Sequence, residues 1–188
     1  MKKRLIACLM CLCMLVGLLP TAAFASGGTV ATVDGKEYTD LQTAIDAASG
    51  KTVVLKDNVV LTAESAGSKA KPIVVSSEVT LDMNGKTISN ASDIWVDTKE
   101  EDKWSLISVQ KGGDLTITGN GTLKAKADDC YAVDLQYDGK CTIENGTFIG
   151  NISAVYVHDG HLTVNGGDFS IQQLADGENG YRHTLNCL

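Results

Sequence analysis

The chain has 188 residues, of which 44% are hydrophobic and 21% are charged, and its net charge is −7 at neutral pH. Arg4 and Arg182 are its only arginines. An acidic chain of this kind argues against nucleic acid and anionic membrane surfaces as partners. Its length suffices for one domain with a substantial core.

The first 25 residues have the pattern of a secretory signal peptide. Basic residues at 2–4 precede an apolar run at 5–19, and small residues at 23 and 25 provide a cleavage site. The apolar run is shorter than the ~20 residues that a membrane-spanning helix needs. We therefore expect an exported protein, secreted or on the cell surface, whose mature chain starts at Ser26, carries a net charge of −10 and has no membrane span.

Residues 26–50 form an N-terminal segment with a predicted short helix. Apolar residues recur there at helical spacing, at Leu41, Ala44, Ile45 and Ala48. Thr39 and Gln42 are placed as a capping box, and Gly50 follows the end of the pattern. We expect this helix to cover the open end of the first repeat unit, which would prevent edge-to-edge aggregation.

A strand pattern then repeats along residues 51–188. Residues 141–150 read CTIENGTFIG, and similar stretches start at positions 79, 115 and 162. Each follows a short alternating strand and a turn, so one unit holds three short strands. The central threonines are Thr80, Thr116, Thr142 and Thr163, separated by 36, 26 and 21 residues. Such units predict a mainly β fold, a β-solenoid whose first unit is residues 51–61.

Alternation along the central strand predicts which side chains face inward. Thr lies between two apolar residues, so Thr points outward and its neighbours inward. The predicted inward residues are Leu115, Ile117, Cys141, Ile143, Leu162 and Val164. Ser108, Asp134 and Tyr156 should likewise form an outward column. Glycines at the corners should adopt φ angles that side chains forbid, namely Gly85, Gly121, Gly146 and Gly166.

An antiparallel meander is the alternative architecture, because Asn-Gly also marks hairpins. We favour parallel pairing of successive units, ~4.8 Å apart, because a hairpin has no reason to repeat in threes. The last residues, YRHTLNCL, resemble the start of another strand with apolar Leu185 and Leu188. We therefore expect the C-terminal end to be incomplete, so that the chain is part of a longer protein or pairs end to end.

Residues 90–104 are predicted to be an insertion loop, and they contain both tryptophans, Trp95 and Trp104. Indole rings in a polar loop can stack against sugars, which makes these two residues candidate glycan-binding residues. The alternative is that they fold back over the side of the solenoid.

The mature chain retains Cys130, Cys141 and Cys187, an odd number without metal-binding spacing. Cys141 stands where other units have Val or Leu, so it is predicted to be a core residue. Spacing alone leaves open whether Cys130 and Cys187 form a disulfide.

The signal peptide, the segment DGKEYTDLQTAIDAASGKTVVL and the GTL, GTF and GDF motifs together resemble a known class. They are similar to the right-handed parallel β-helix (pectin-lyase-like) segments of large secreted surface proteins of Gram-positive gut bacteria. The resemblance covers about residue 29 to the end and implies a right-handed parallel β-helix with an N-terminal capping helix. Because such helices serve lyases, hydrolases, adhesins and stalks, it implies little about activity.

Asp128 and Asp129 resemble the paired aspartates of polygalacturonases, in which carboxylates act as acid and base at the glycosidic bond. By that resemblance Asp129 is the acid and Asp128 positions water. The other motifs of those enzymes are missing here, and a solvated corner before a strand explains the pair more simply.

Pectate lyases, which are similar in fold, hold Ca²⁺ with carboxylates and use a basic residue to remove a proton. The candidate Ca²⁺ ligands are Asp134, Asp138 and Asp159, and Asp134 is also a candidate catalytic residue. Asp138 and Asp159 stand beside turn glycines, where Asp is common for turn chemistry alone. His158 and His161 flank the same turn and are predicted to be exposed polar residues.

The sequence therefore favours an exported structural or adhesive surface module, not an enzyme, that needs no cofactor. Its expected partner is a polysaccharide or a host or cell-wall glycan. The alternatives are a carbohydrate-active enzyme of the pectin-lyase type, with Ca²⁺ if it is a lyase, and a glycan-binding module that uses the two tryptophans.

Overall fold

The computed structural model describes residues 28–65, 68–94, 96–98, 101–126, 130–173 and 183–188. These residues are mainly β, with one short helix, α1 (Leu41–Asp46). The predicted signal peptide, residues 1–25, lies outside them. The strands are β1 (Ala31–Val33), β2 (Lys36–Tyr38), β3 (Lys51–Leu55), β4 (Val59–Leu61), β5 (Ile73–Val75), β6 (Glu78–Asp82), β7 (Thr87–Asn90), β8 (Val96–Thr98), β9 (Glu101–Lys103), β10 (Ser105–Val109), β11 (Asp114–Thr118), β12 (Thr122–Lys124), β13 (Tyr131–Leu135), β14 (Gly139–Ile143), β15 (Thr147–Gly150), β16 (Val155–Val157), β17 (Gly160–Val164), β18 (Asp168–Ile171) and β19 (Leu185–Cys187).

The strands form three large sheets. Sheet A has the order β17-β14-β11-β6-β3-β1-β2, sheet B β18-β15-β12-β7-β4 and sheet C β19-β16-β13-β10-β5. Strands from β3 onward pair in parallel in these sheets, whereas β1 pairs antiparallel with β2 and β3. From β5 onward the chain visits sheets C, A and B in that order and repeats the order to β19. A mainly β fold with parallel sheets is confirmed, and the antiparallel meander is wrong.

The predicted threonine column is confirmed in sheet A. Thr80, Thr116, Thr142 and Thr163 are register partners in neighbouring strands, and Thr52 on β3 extends the column. In-register neighbours of this kind lie ~4.8 Å apart. The unequal sequence separations of the threonines therefore correspond to equal steps across the sheet. Residues 51–61 contain β3 of sheet A and β4 of sheet B, and the chain reaches sheet C with β5.

The apolar neighbours of the threonines form the core. Leu115, Ile117, Cys141 and Ile143 are at most 1% exposed. The same alternation continues in β17, but Leu162 is half-buried and Val164 is 40% exposed. The reason is that β17 is an edge strand of sheet A, so no further strand of the described chain covers these two residues.

Two of the four predicted corner glycines have the backbone angles that glycine favours, with φ of +71° at Gly85 and +119° at Gly146. The prediction is wrong for Gly121 and Gly166, whose φ angles are not positive. There glycine is needed for space, because a Cβ atom would lie 2.4 Å from Met83 Cβ at Gly121 and 2.6 Å from a backbone oxygen at Gly166.

Helix α1 starts with a different cap from the one predicted. Asp40 is the N-cap residue, and its Oδ1 accepts a hydrogen bond from Thr43 N at 2.8 Å. The predicted capping box of Thr39 and Gln42 is wrong, because Gln42 bonds to β5 instead. Its Oε1 accepts from Val74 N at 2.7 Å, and its Nε2 donates to Val74 O at 2.9 Å. The buried residues of α1 are Leu41, Ala44 and Ile45.

The predicted insertion at residues 90–104 contains β8 and β9, which pair antiparallel. Its first part is anchored by Asp93, whose carboxylate pairs with Lys126 Nζ and, at 3.2 Å, with Lys69 Nζ. The hydrogen bond from Lys126 and, to a smaller extent, the one from Lys69 hold the pKa of Asp93 below its usual value. Trp95 lies outside the described residues, and Trp104 directly precedes β10.

Candidate functional site

Two polar columns lie side by side on the outer face of sheet C. The first is the predicted column of Ser108, Asp134 and Tyr156, which are register partners in β10, β13 and β16. The second column consists of the residues that directly follow these three strands, two positions beyond the first column, namely Gln110, Gln136 and His158. Because side chains alternate along a strand, residues two apart share a face. The sequence therefore brings three pairs of polar or aromatic residues to one surface.

Hydrogen bonds join the two columns at β10 and β13. Gln110 Nε2 donates to Ser108 Oγ, and Gln136 Nε2 donates to Asp134 Oδ2 at 3.4 Å. Ser108 and Asp134 are at most 1% exposed, and Gln136 is 6% exposed. Carboxylates are almost never fully buried without hydrogen bonds, so the burial of Asp134 marks this part of the face as a built polar site.

Aromatic rings continue the site on either side of Asp134. The rings of Tyr131 and Tyr156 are stacked, with centroids 4.8 Å apart and planes inclined by 22°. The Trp104 indole lies 6.4 Å from Tyr131, and the His158 imidazole lies 6.1 Å from Tyr156. Four rings thus follow one another across sheet C, and they provide flat apolar faces beside a buried carboxylate.

Tyr131 departs from simple alternation along β13. Alternation would place it on the inner face with Val133, but its ring stacks on Tyr156 of the outward column. The backbone next to it pairs irregularly, because the N–H groups of Ala132 and Val133 both donate to Ala154 O, each at 3.1 Å. The irregular pairing accompanies the outward position of the ring.

Trp104 reaches the site because the end of the insertion is tied to β13. Trp104 O accepts a hydrogen bond from Tyr131 N at 2.6 Å. The indole is half-buried, so part of its surface remains in contact with solvent. The predicted glycan-binding residue Trp104 and the predicted catalytic candidate Asp134 are therefore brought to one place.

A cavity of about 120 Å³ opens where these side chains meet. Its lining residues are Trp104, Tyr131, Asp134, Gln136, Tyr156 and His158. We call this cavity the sheet C pocket. It combines apolar ring faces with a carboxylate, a carboxamide and an imidazole, which can accept and donate hydrogen bonds. The sequence did not predict Tyr131, Gln136, Tyr156 or His158 as site residues, although it placed Tyr156 in the outward column and His158 beside an exposed turn.

The other predicted site residues lie elsewhere. Asp128 and Asp129 are outside the described residues. Asp138 and Asp159 are exposed in neighbouring turns, where Asp138 N donates to Asp159 O at 2.8 Å and the Asp138 carboxylate pairs with His161 Nε2 at 3.2 Å. Within the described ranges no three His, Cys, Asp or Glu side chains form a metal-binding group. Asp134, Asp138 and Asp159 are therefore not brought together as Ca²⁺ ligands.

The cysteines carry no disulfide in the described chain. Cys130 and Cys141 are buried and Cys187 is exposed, all as free thiols. Cys187 is the register partner of Val157, which pairs with Leu135, five residues beyond Cys130. At ~3.3 Å per residue, that offset exceeds the Cα distance that a disulfide can span. Burial raises the pKa of Cys141 to about 12, as expected for a thiol in an apolar core.

A second cavity, of about 690 Å³, lies between α1, β4 and β5. Aliphatic residues of the two strands line it, and its charged residues include the exposed Glu64–Lys71 ion pair, whose atoms are 2.6 Å apart. It lacks the stacked rings and the buried carboxylate of the sheet C pocket, which is therefore the better candidate site.

The chain has no significant match among protein-family models, curated proteins or solved structures. Within the described ranges, no helix has the length and apolar character needed to cross a membrane.

Proposed function

We propose that this chain is an exported surface module folded as a right-handed parallel β-helix, with α1 and the β1–β2 hairpin capping its first turn. The repeated path through sheets C, A and B supports this architecture, since such a chain winds about one axis. The right hand follows the general preference of parallel crossover connections. The signal pattern at residues 1–25 supports export. The resemblance to pectin-lyase-like segments of secreted surface proteins supports both the β-helix architecture and export.

The sheet C pocket makes this module adhesive by binding carbohydrate, as a polysaccharide or as a host or cell-wall glycan. One observation carries the proposal: stacked aromatic rings and a buried carboxylate meet in one cavity on the outer face of the sheet. The C–H faces of a sugar pack against the half-buried rings of Trp104 and Tyr156, because both surfaces are flat and apolar. Sugar hydroxyls donate to the carboxylate of Asp134 in charge-assisted hydrogen bonds.

Binding explains the pocket better than glycoside hydrolysis does. Hydrolysis of a glycosidic bond uses two carboxyl groups on either side of the scissile bond. Among the described residues that line the pocket, Asp134 is the one carboxylate. A single buried carboxylate next to stacked rings suits orientation of a ligand.

A glycan array tests this proposal with the mature protein and two variants. Trp104→Ala removes a ring that lines the pocket, and we expect it to lose at least about tenfold in affinity for any bound glycan. Tyr137→Ala is the matched control, because Tyr137 is an aromatic residue next to Gln136 that is 49% exposed and does not line the pocket. Equal glycan signals for wild type and Trp104→Ala would refute binding at this site. Unsaturated products from polygalacturonate and Ca²⁺ that vanish in Asp134→Asn would instead indicate a lyase.

A further inference from the structure

The size of the sheet C pocket restricts what can enter it. Its volume of about 120 Å³ corresponds to roughly four water molecules at ~30 Å³ each. Cavities that enclose whole drug-sized ligands measure about 300–1,000 Å³. A sugar ring therefore lies across the mouth of the pocket, and only one of its substituents fits inside.

We propose that this substituent is an acetamido group, so that the pocket recognises N-acetylhexosamines. The inference rests on the proposed carbohydrate binding and adds the class of sugar. An acetamido group has roughly the bulk of a few water molecules and offers an N–H donor, a carbonyl acceptor and a methyl group. Each of these three parts has a counterpart among the side chains that line the pocket.

The polar counterparts are Asp134 and Gln136. The carboxylate of Asp134 accepts the N–H of the ligand, and the carboxamide of Gln136 donates to its carbonyl oxygen. The bond from Gln136 Nε2 to Asp134 Oδ2 measures 3.4 Å, longer than the usual 2.7–3.2 Å range. The N–H and the carbonyl of an acetamido group point in opposite directions, so a bound ligand would break this long contact and turn the two side chains apart, each to form a shorter bond with the ligand. Both residues are more than nine-tenths buried, so these bonds form away from water.

The apolar counterpart is the group of rings. The stacked rings of Tyr131 and Tyr156, 4.8 Å apart, form one wall of the pocket, and the Trp104 indole stands beside Tyr131. The methyl group of the ligand packs against this wall, and the sugar ring covers the half-buried indole. His158 is exposed at the rim, where its imidazole reaches the hydroxyls of the sugar.

The same contacts discriminate against other sugars. A neutral hexose has a hydroxyl in place of the acetamido group, so it leaves the apolar wall uncovered and Gln136 without a carbonyl to bind. A uronic acid brings a carboxylate, whose acceptor oxygens face the acceptor oxygens of Asp134. Loss of a hydrogen bond and of methyl packing in a buried site costs tenfold or more in affinity.

Binding of three trisaccharides to the mature protein, followed by NMR chemical-shift titration, tests the inference. Triacetylchitotriose should bind at least about tenfold more tightly than cellotriose, which differs from it only in the acetamido groups, and trigalacturonate should bind most weakly. Gln136→Met has a similar shape but no donor, and it should reduce the preference for triacetylchitotriose to less than about threefold. Tyr137→Ala should retain the full preference.

The outcomes separate this inference from the proposed function. Equal binding of triacetylchitotriose and cellotriose would overturn the acetamido inference while supporting carbohydrate binding. Tighter binding of trigalacturonate would also overturn it. Failure of all three trisaccharides, together with an empty glycan array, would refute carbohydrate binding itself. A retained preference in folded Gln136→Met would overturn the role assigned to Gln136 and, with it, the inference.

Discussion

Removal of the Phe148 ring tests how the interior is packed. Phe148 is 0% exposed and stacks on Phe169, with ring centroids 5.0 Å apart and planes inclined by 14°. The two residues are register partners in sheet B, but Phe169 is half-buried because β18 is an edge strand. Phe148→Ala should lower the free energy of unfolding by about 3–5 kcal/mol, through lost apolar burial and the cavity left behind. Phe169→Ala should lower the free energy of unfolding by only about 1–2 kcal/mol, because Phe169 buries less apolar surface on folding than Phe148 does.

Urea unfolding of the mature chain, followed by far-UV circular dichroism, measures both free energies by linear extrapolation. Val60→Ala is the control, since Val60 is 54% exposed and its truncation should change stability by no more than about 0.5 kcal/mol. If both phenylalanine variants lose equal free energy of unfolding, or Phe169→Ala loses more, then Phe148 is not the more enclosed of the two rings.

Three further outcomes are expected. Gly121→Ala should lower the free energy of unfolding by about 1–3 kcal/mol, because the new Cβ would lie 2.4 Å from Met83 Cβ. Gly28→Ala is the control and should leave stability unchanged, because a Cβ there has no atom within 4 Å. Equal thermal unfolding midpoints for the two variants would contradict this prediction. Since burial raises the pKa of Cys141 from 9.0 to about 12, the stability due to its neutral thiol is complete below pH 9 and lost as pH rises towards 12. Cys141→Val should remove this pH dependence from the free energy of unfolding. If the variant loses stability between pH 9 and 12 as the wild type does, the effect does not come from Cys141. Asp93→Asn should lower the free energy of unfolding by at most ~1 kcal/mol, and by less at high salt, because the ion pairs are exposed. The wild type should lose the same contribution as pH falls below about 4, where the Asp93 carboxylate becomes protonated. A loss that does not depend on salt would argue against the ion pairs.

The parts of the fold that follow from short-range periodicity were predictable from the sequence. Alternation around Thr116 and Thr142 identified the buried residues, and the recurrence of the motif predicted their parallel register. Asp134 was placed in the correct outward column for the same reason. These predictions hold because side chains alternate wherever a strand is regular.

The parts that depend on contacts between distant residues were not predictable. Gln42 looked like half of a capping box, but a partner 32 residues away, Val74, binds its side chain. Tyr131 belongs to the site although alternation along β13 would turn it inward, and no residue pattern in β13 marks the irregular pairing opposite Ala154. Trp104 was named as a candidate, but its position beside Asp134 depends on how the insertion meets β13.

Distances along the threonine column test the proposed β-helix most directly. Spin labels on cysteines introduced at Thr52 and at a second threonine, in a Cys187→Ser background, allow these short distances to be measured by dipolar broadening of continuous-wave electron paramagnetic resonance spectra. With ~4.8 Å per strand, the backbone separations from Thr52 should be about 10 Å to Thr116, about 14 Å to Thr142 and about 19 Å to Thr163. A β-helix predicts equal increments although the sequence separations differ. Increments that instead follow the number of intervening residues, or that show no order, would contradict it.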